Sequence, residues 1–407
     1  MNMPLEILTD AGEERARAAV LPGHSLPAYY YESAGRYARD MAIMRETSWF
    51  LAGHASRIPD AGDYFLIDID NESIIVIRAR GGAIRAFYNV CRHRGSRVCL
   101  ERSGHARLMV CPYHAWTYDA DGQLVGAPDM PAWFDKAEYG LKPCHVDTAG
   151  GLIFISLARG AAPGFEDFTT RMKPFMALYK PENTKIVALD HLSCPANWKL
   201  VVENFAECYH CTPSHKEYGR VHDLAAMMSY TPETEGGWMQ RLKASGVWRE
   251  GVLDGPSSPH LQAGMQMHIG RGALSGGRTG KPMAPRLGDL PEWTGIWTAV
   301  VFNPMSQVAF YDDHIILFTF IPRGPTETDC LLAWLVRDDA VEGQDYDPDE
   351  VAYMWRHTIA EDKTICANNQ LGVASAAYQP GPYSSTETRA VETVEWYLRH
   401  FVDVDAR

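Results

Sequence analysis

The sequence lacks the marks of several large protein classes. It has no uninterrupted apolar run of the roughly 20 residues that a membrane-spanning helix needs. Residues 1–20 lack the basic start and the apolar stretch of a secretory signal. No basic stripe offsets the formal net charge of −13, which disfavours nucleic acids and acidic membranes as partners. We therefore expect a cytoplasmic globular protein that binds a small molecule.

Nucleotide-binding motifs are absent as well. No GxGxxG fingerprint follows a predicted strand, and no plant-type Cys-x4-Cys-x2-Cys run occurs. The segment SGGRTGKP, residues 275–282, departs from a phosphate-binding loop, with Ser275 in place of glycine and Pro282 in place of serine or threonine. We expect no NAD or flavin on this chain, so redox chemistry would require a separate NAD(P)H-dependent reductase or ferredoxin.

The nine cysteines are an odd number in a long chain and do not resemble a disulfide framework, so free thiols or metal ligands are expected. Two short pairs, Cys91-x-His93 and Cys111-x-x-His114, fall on neighbouring predicted hairpin loops. Zinc sites usually group cysteines with cysteines. One cysteine and one histidine from each loop suit a [2Fe–2S] centre in which one iron takes both thiolates and the other both imidazoles. The pattern predicts a Rieske cluster, with structural zinc or coincidence as alternatives.

The spacing of apolar residues along the sequence divides the chain into three parts. We predict an N-terminal helical arm over residues 1–59, a small all-β cluster domain over residues 60–158, and a larger domain over residues 159–407 against which the arm packs. The larger domain alternates long apolar strands with two helices, predicted over residues 197–210 and 347–372. The Gly-, Pro- and Ser-rich stretch between them, residues 249–290, predicts a long mobile loop.

A second group of possible metal ligands lies in the first of these helices. Glu207 and His210 are three residues apart on one predicted helical face. A proline between His210 and His215 should end the helix near residue 211 and return the second imidazole towards the first. Two histidines and one carboxylate form the facial triad of non-haem Fe(II) oxygenases, and either Glu207 or the remote Asp362 can complete it. The two cysteines of this segment are predicted to be packing residues.

Together these motifs resemble the α subunits of Rieske non-haem iron oxygenases, the ring-hydroxylating and demethylating family. The resemblance is carried by the two Cys/His pairs, by NWKLVVENFAECYHCTPSH (residues 197–215) and by AEDKTICANNQLGVASAAYQPGPYS (residues 360–384), in the family's order. It implies an α+β protein: an all-β Rieske domain and a helix-grip catalytic domain, with an antiparallel sheet wrapped by helices. It also implies two cofactors, the [2Fe–2S] cluster and a mononuclear Fe(II).

The same resemblance implies roles for individual residues. His210, His215 and Asp362 would hold the mononuclear iron. Glu207 would act as an electron bridge within a homotrimer, linking a cluster histidine of one subunit to an iron histidine of the next. Electrons would come from a separate reductase or ferredoxin, and the reaction would consume O2.

Glutamate at position 207 departs from the aspartate of most ring-hydroxylating members and is similar to the branch that acts on quaternary ammonium compounds. This implies N-demethylation, in which an N-methyl carbon is hydroxylated and leaves as formaldehyde, or another monooxygenation. Aromatic ring (di)oxygenation is the alternative, and a non-catalytic iron–sulfur carrier with a ligand-binding domain is a remote one. Tryptophan faces attract quaternary ammonium groups. The candidates for such a cage are Trp238, Trp248, Trp293 and Trp297.

Overall fold

A helical arm precedes two β-rich halves along the chain. The computed structural model describes residues 11–224 and 237–403. The helices of the arm are α1 (Ala11–Ala18), α2 (Ala28–Glu32) and α3 (Ala34–Thr47).

Helix α3 anchors the arm to the second half. It begins where the Ser33 hydroxyl accepts a hydrogen bond from the N–H of Arg36. One turn later Asp40 is fully buried and pairs with the Arg36 guanidinium and with Lys199 of the second half, both at 2.8 Å. Because a buried carboxylate is stable only when it is paired, this contact fixes the arm on that half.

The first half consists of short strands. They are β1 (Phe50–His54), β2 (Asp63–Ile69), β3 (Glu72–Arg78), β4 (Ile84–Tyr88), β5 (Ser103–His105), β6 (Met109–Val110), β7 (Thr117–Tyr118), β8 (Leu124–Gly126), β9 (His145–Ala149) and β10 (Leu152–Ser156). They form antiparallel sheets in the orders β4-β3-β2-β5, β6-β7-β8 and β1-β10-β9. Strand β3 buries Ile75 and Ile77 in the same core as Trp116 and Tyr118, so the first two sheets pack on one another. Strand β1 pairs with β10, although it lies inside the predicted arm.

The second half is built on one long antiparallel sheet. Its helices are α4 (Phe165–Thr170), α5 (Lys173–Met176), α6 (Trp198–Phe205), α7 (Cys211–Ser214), α8 (Tyr218–Val221), α9 (Trp238–Ala244), α10 (Pro348–Val373) and α11 (Thr388–Tyr397). Its strands are β11 (Thr184–Cys194), β12 (Val252–Leu253), β13 (Ala263–His268), β14 (Ile296–Asn303), β15 (Ser306–Tyr311), β16 (Ile315–Gly324) and β17 (Glu327–Arg337). The strand order is β11-β17-β16-β15-β14-β13-β12. Strand β16 is buried on both faces along most of its length, as its continuous apolar run predicts.

The long helix α10 crosses this sheet. Its N-terminus is capped by the Asp347 side chain, which accepts a hydrogen bond from the N–H of Asp349, and Pro348 occupies the first turn. Arg356 ties the helix to strand β11 by an ion pair with Asp190 at 2.7 Å. Two turns further on, the same helix carries Asp362 into the interior, where it is buried.

Three local predictions are wrong. The helix predicted over residues 197–210 ends at Phe205, because residues 206–210 turn away before the short helix α7. Residues 249–290 are not one loop: strand β13, which lacks β-branched residues, pairs along its length with β14. The cysteines of the second motif, Cys208 and Cys211, are more than packing residues, since their sulfurs form a disulfide across that turn. Nowhere in residues 11–224 or 237–403 is a helix long and apolar enough to cross a membrane.

Candidate metal centres and active-site cavity

The predicted cluster ligands lie on two loops with the same backbone pattern. In residues 91–96 and 111–116 the N–H of the cysteine donates to the carbonyl five positions later, at 2.8 Å in both loops. The N–H of the residue four positions later donates back to the cysteine carbonyl, at 3.0 Å in both. That residue has a positive φ, 81° at Gly95 and 57° at Ala115. The two loops therefore hold their cysteines in the same backbone setting, with the histidine at the third position of one loop and at the fourth position of the other.

Thiols and imidazoles differ in exposure at this site. Cys91 and Cys111 are 3% and 2% exposed, whereas His93 and His114 are exposed, with ring centroids 4.6 Å apart. The His93 ring stacks on buried Trp116 at 4.9 Å. Burial raises the pKa of the Cys91 thiol, so a thiolate there needs a bound cation to stabilise it. Two buried sulfurs and two exposed imidazoles form a donor set that fits a Rieske [2Fe–2S] cluster.

Three donor atoms converge in the second half. Asp362 Oδ1 lies 3.3 Å from His210 Nε2 and 3.0 Å from His215 Nε2, and the two imidazole rings are nearly perpendicular. This carboxylate oxygen is buried, and no hydrogen bond of good geometry satisfies it. A buried oxygen without a hydrogen bond, facing two imidazole nitrogens, fits the two-histidine, one-carboxylate set of a mononuclear iron site.

The outer nitrogen of each of these histidines contacts a second carboxylate. His210 Nδ1 lies 2.5 Å from Glu207 Oε1, and His215 Nδ1 lies 2.8 Å from Glu361 Oε2. Because both Nδ1 atoms are engaged, both Nε2 atoms face Asp362. Glu361 is absent from the sequence predictions, and its position beside Asp362 on α10 was the only signal for it.

The charges at this site reinforce one another. Burial opposes protonation of His210, but Asp362 and Glu207 outweigh it and raise the pKa of that imidazole to about 9. The pKa of His215 is also raised, since Asp362 and Glu361 outweigh its burial. Burial likewise opposes ionisation of Asp362, yet the two imidazoles hold the pKa of its carboxyl below the usual range. The electrostatics of this site thus stabilise an ionised Asp362 beside positive charge on the imidazoles.

Local chain geometry explains the position of Glu207. It lies in the turn after α6 rather than on a helical face, and its carboxylate accepts hydrogen bonds from the N–H groups of Tyr209 and His210. The side chain folds back over the turn and meets the His210 ring from the side opposite Asp362. Of the two carboxylates that the sequence left open, Asp362 is the one that faces the Nε2 atoms.

A cavity of about 370 Å³ opens beside these donors. Its walls are mainly apolar, and the aromatic residues that line it are Phe205, Tyr218, Trp297, Phe318 and Trp355. Its cationic residue Arg389 is engaged by Glu392 at 2.6 Å.

Only one of the four candidate tryptophans, Trp297, is among the lining residues of the described chain. Trp238 and Trp248 pack in the second hydrophobic core, and Trp293 lies under the Arg286 guanidinium, 5.9 Å from ring centroid to carbon. The other aromatic residues of the cavity wall were not among the four predicted candidates: they are Phe205, Tyr218, Phe318 and Trp355.

Comparison with known proteins places the chain in a family. Residues 48–144 match the Rieske [2Fe-2S] domain, and residues 181–402 match the ring hydroxylating alpha subunit (catalytic domain). The chain belongs to the α subunits of the Rieske ring-hydroxylating oxygenases. It is therefore an oxidoreductase with a [2Fe–2S] cluster and a mononuclear iron. The predicted family, the α+β fold class and both cofactors are confirmed.

Individual relatives give a more specific comparison than the family match. The chain is 37% identical to the glycine betaine monooxygenase oxygenase subunit of Chromohalobacter salexigens over 98% of its own length and 90% of the relative's. It is 32% identical to the carnitine monooxygenase oxygenase subunit of Acinetobacter pittii over 53% of this chain and 58% of that relative. The fold also resembles a quaternary ammonium Rieske monooxygenase in complex with L-carnitine, with TM-score 0.69 and 22% identity over 94% of this chain and 95% of that one.

Proposed function

We propose that this chain is a terminal oxygenase that N-demethylates, or otherwise monooxygenates, a small quaternary ammonium compound of the betaine type. The observation that carries the proposal is the convergence of His210, His215 and Asp362 on one end of an aromatic-walled cavity. A quaternary ammonium group cannot donate a hydrogen bond, so aromatic faces and nearby carboxylates are what bind it. The extensive similarity to glycine betaine monooxygenase supports the same substrate class.

The ligand assignment follows from the donor atoms. Cys91, His93, Cys111 and His114 hold the [2Fe–2S] cluster in the domain of residues 60–158. His210, His215 and Asp362 hold the mononuclear iron in the domain of residues 159–407. The helices of residues 11–47 form the arm, which packs on the second domain.

Each metal centre has one task. When bound, the cluster supplies single electrons and the mononuclear iron activates O2. The chain's own residues bind and orient the substrate: the rings of Trp297 and Phe318 line the space for the ammonium group, while the apolar wall excludes water. Glu207, which also lines the cavity, adds negative charge near the end where the N-methyl group must lie. Hydroxylation of that methyl gives a carbinolamine that separates into formaldehyde and the demethylated amine.

Electron transfer in this proposal crosses between subunits of a homotrimer. Glu207 connects to His210 through the 2.5 Å contact at Nδ1, and its other side faces the turn that carries the exposed Tyr209. Around the cluster loops, Leu100, Tyr113 and Trp133 are also exposed. A second copy that covers these apolar surfaces would bring an exposed cluster histidine to Glu207. The first electron comes from a separate NAD(P)H-dependent reductase or ferredoxin, in the cytoplasm.

Single turnover without a reductase tests the substrate class. Anaerobic protein, reduced with dithionite and desalted, is mixed with 18O2 and with glycine betaine, carnitine or an arene such as benzoate. Formaldehyde and a demethylated amine are expected from a quaternary ammonium compound only. The matched control is 3,3-dimethylbutanoate, which has the shape of glycine betaine without the positive charge and should give little product. An oxygenated arene without formaldehyde would identify the ring oxygenase alternative instead.

A further inference from the structure

A groove of about 730 Å³ lies where the arm, the cluster domain and the following linker meet. Cys91, one of the two buried cluster thiols, is among its lining residues. His93 and His114 are not among them, so the groove approaches the cluster from the thiol side and leaves the imidazole edges uncovered.

This groove is locally positive in an acidic protein. Four cationic side chains line it, against the two carboxylates Glu46 and Glu72 and the carboxylate Asp70 that pairs with Arg45, so its net charge is +1 with neutral histidine. The four cations are Arg45, Arg92, Lys142 and Arg159. The whole chain carries a net charge of −13.

Most of these cations are weakly neutralised. Arg159 has a 75% exposed side chain, and its one ion-pair partner among the residues that the structure describes is the distant Glu46, at 3.7 Å. Lys142 is exposed, and in residues 11–224 and 237–403 no carboxylate lies within ion-pair distance of it. Arg92, next to Cys91 in the chain, donates to a backbone carbonyl at 3.0 Å rather than to a carboxylate. Only Arg45 is firmly paired, with Asp70 at 2.6 Å.

We propose that this groove is the docking site for the acidic face of an iron–sulfur electron-donor protein. An acidic partner is repelled by most of the chain's surface and attracted here, so the charge pattern selects both the partner and its orientation. On docking, one electron passes to the cluster: the donor is oxidised by one electron, the cluster is reduced by one, and no bond forms or breaks. The proposal rests on the proposed function, since Cys91 must hold the cluster.

In this arrangement electrons enter the cluster on its thiol side and leave it on its imidazole side. The donor occupies the groove on the thiol side, while His93 and His114 remain available to Glu207 of the neighbouring subunit. The donor and the neighbouring subunit therefore do not compete for the same edge of the cluster.

Charge reversal in the groove tests the proposal on the full-length chain. The test variant is K142E/R159E, and the matched control R85E/K136E makes the same charge change on the cluster domain outside the groove. The probe is a reduced plant-type [2Fe–2S] ferredoxin, whose all-thiolate cluster has a lower potential than a Rieske centre. Stopped-flow absorbance follows reduction of the Rieske cluster at low and high ionic strength.

We expect the second-order rate constant of K142E/R159E to fall by about 10-fold or more at low salt, and that of the control to stay close to the unaltered protein's. The neutral variant K142Q/R159Q should lie between them, and high salt should slow the unaltered protein. Equal rates in groove and control variants would overturn the proposal. So would failure of ferredoxin to reduce any form that dithionite reduces. Absence of a dithionite-reducible cluster in the unaltered protein would instead refute the proposed function.

Discussion

The two candidate metal centres are built in opposite ways. Each cluster loop is a short segment that closes on its own backbone hydrogen bonds, and the cluster histidines reach the surface. The second site joins a turn and a short helix to the remote helix α10, and His215 and Asp362 are only 1% and 6% exposed. The cluster site is built from short local segments and is open to solvent. The second site joins segments that are distant in the sequence and is closed to solvent, and we call it the closed site.

Contacts of the outer imidazole nitrogens sharpen this contrast. His210 and His215 each meet a carboxylate at Nδ1, whereas no ion pair involves His93 or His114 in the part of the chain that the structure describes. A site that passes electrons to another protein needs a free imidazole edge. A site that binds O2 and a substrate needs fixed ligands and little water. The difference between the centres thus follows from what each must exchange.

Loss of one cluster thiol should have the largest effect. Cys111→Ser should abolish the visible absorption of the cluster and all turnover, because a buried hydroxyl cannot replace a thiolate on iron. The second site should still bind Co(II), since it shares no ligand with the loops. Cys99→Ser is the matched control: Cys99 is a buried free thiol in the same core but lies outside both loops, and this variant should keep its colour. A colourless Cys99→Ser variant would show that the loops alone do not define the cluster site.

Substitutions of the two carboxylates that contact Nδ1 atoms at the closed site, Glu207 and Glu361, should have different effects. Glu207→Gln should keep both metals yet slow turnover by roughly 100-fold or more, because it would break the proposed path to the cluster of the neighbouring subunit. Glu361→Gln should instead weaken metal binding at the second site by roughly 10- to 100-fold, because the role of the Glu361 carboxylate is to orient the His215 ring. Metal analysis and single-turnover cluster oxidation distinguish the two. If both variants transferred electrons at the normal rate, Glu207 would not be the bridge.

Metal binding at the closed site should depend on pH. Asp362 and Glu207 raise the pKa of His210 to about 9, so below that pH the entering metal must displace a proton. Because the pKa of His215 is raised as well, the apparent affinity of the metal-free site for Co(II) should rise by at least about tenfold per pH unit between pH 7 and 9 and then level off. Glu207→Gln removes one stabilising carboxylate and should move the plateau to lower pH. An affinity that is flat over this range would contradict the assigned charge state.

The smallest expected effect concerns the cavity wall. Trp297→Leu should weaken binding of glycine betaine by about 0.5–2 kcal/mol, and binding of 3,3-dimethylbutanoate, which lacks the ammonium charge, by less. Trp293→Leu is the control, because Trp293 lies outside the cavity-lining set and should leave both affinities unchanged. Substrate affinities measured by calorimetry compare the two variants. Equal losses for the ligands with and without the ammonium group would mean that Trp297 contributes shape rather than charge recognition.

Local features of both sites were predictable from the sequence. The two Cys/His pairs are spaced two and three residues apart on local loops, so spacing alone predicts Cys91, His93, Cys111 and His114 as the cluster ligands. Helix α10 also agrees with the helix predicted over residues 347–372, since long regular periods are strong signals.

Features that depend on tertiary contacts were not predictable. The sequence could not choose between Glu207 and Asp362 without the family resemblance, because the choice depends on where α10 crosses the turn after α6. Glu361 was missed for the same reason. Strand β13 was missed because its residues, AGMQMH, have weak strand propensity and are held by pairing with β14.

Iron and acid-labile sulfide analysis of anaerobically purified protein, with and without His210→Ala, tests the central claim of two independent centres most directly. The unaltered chain should contain about three irons and two sulfides, and the variant should lose one iron while its sulfide and visible spectrum persist. Loss of sulfide together with iron in His210→Ala, or zinc in place of iron in the unaltered protein, would contradict the account.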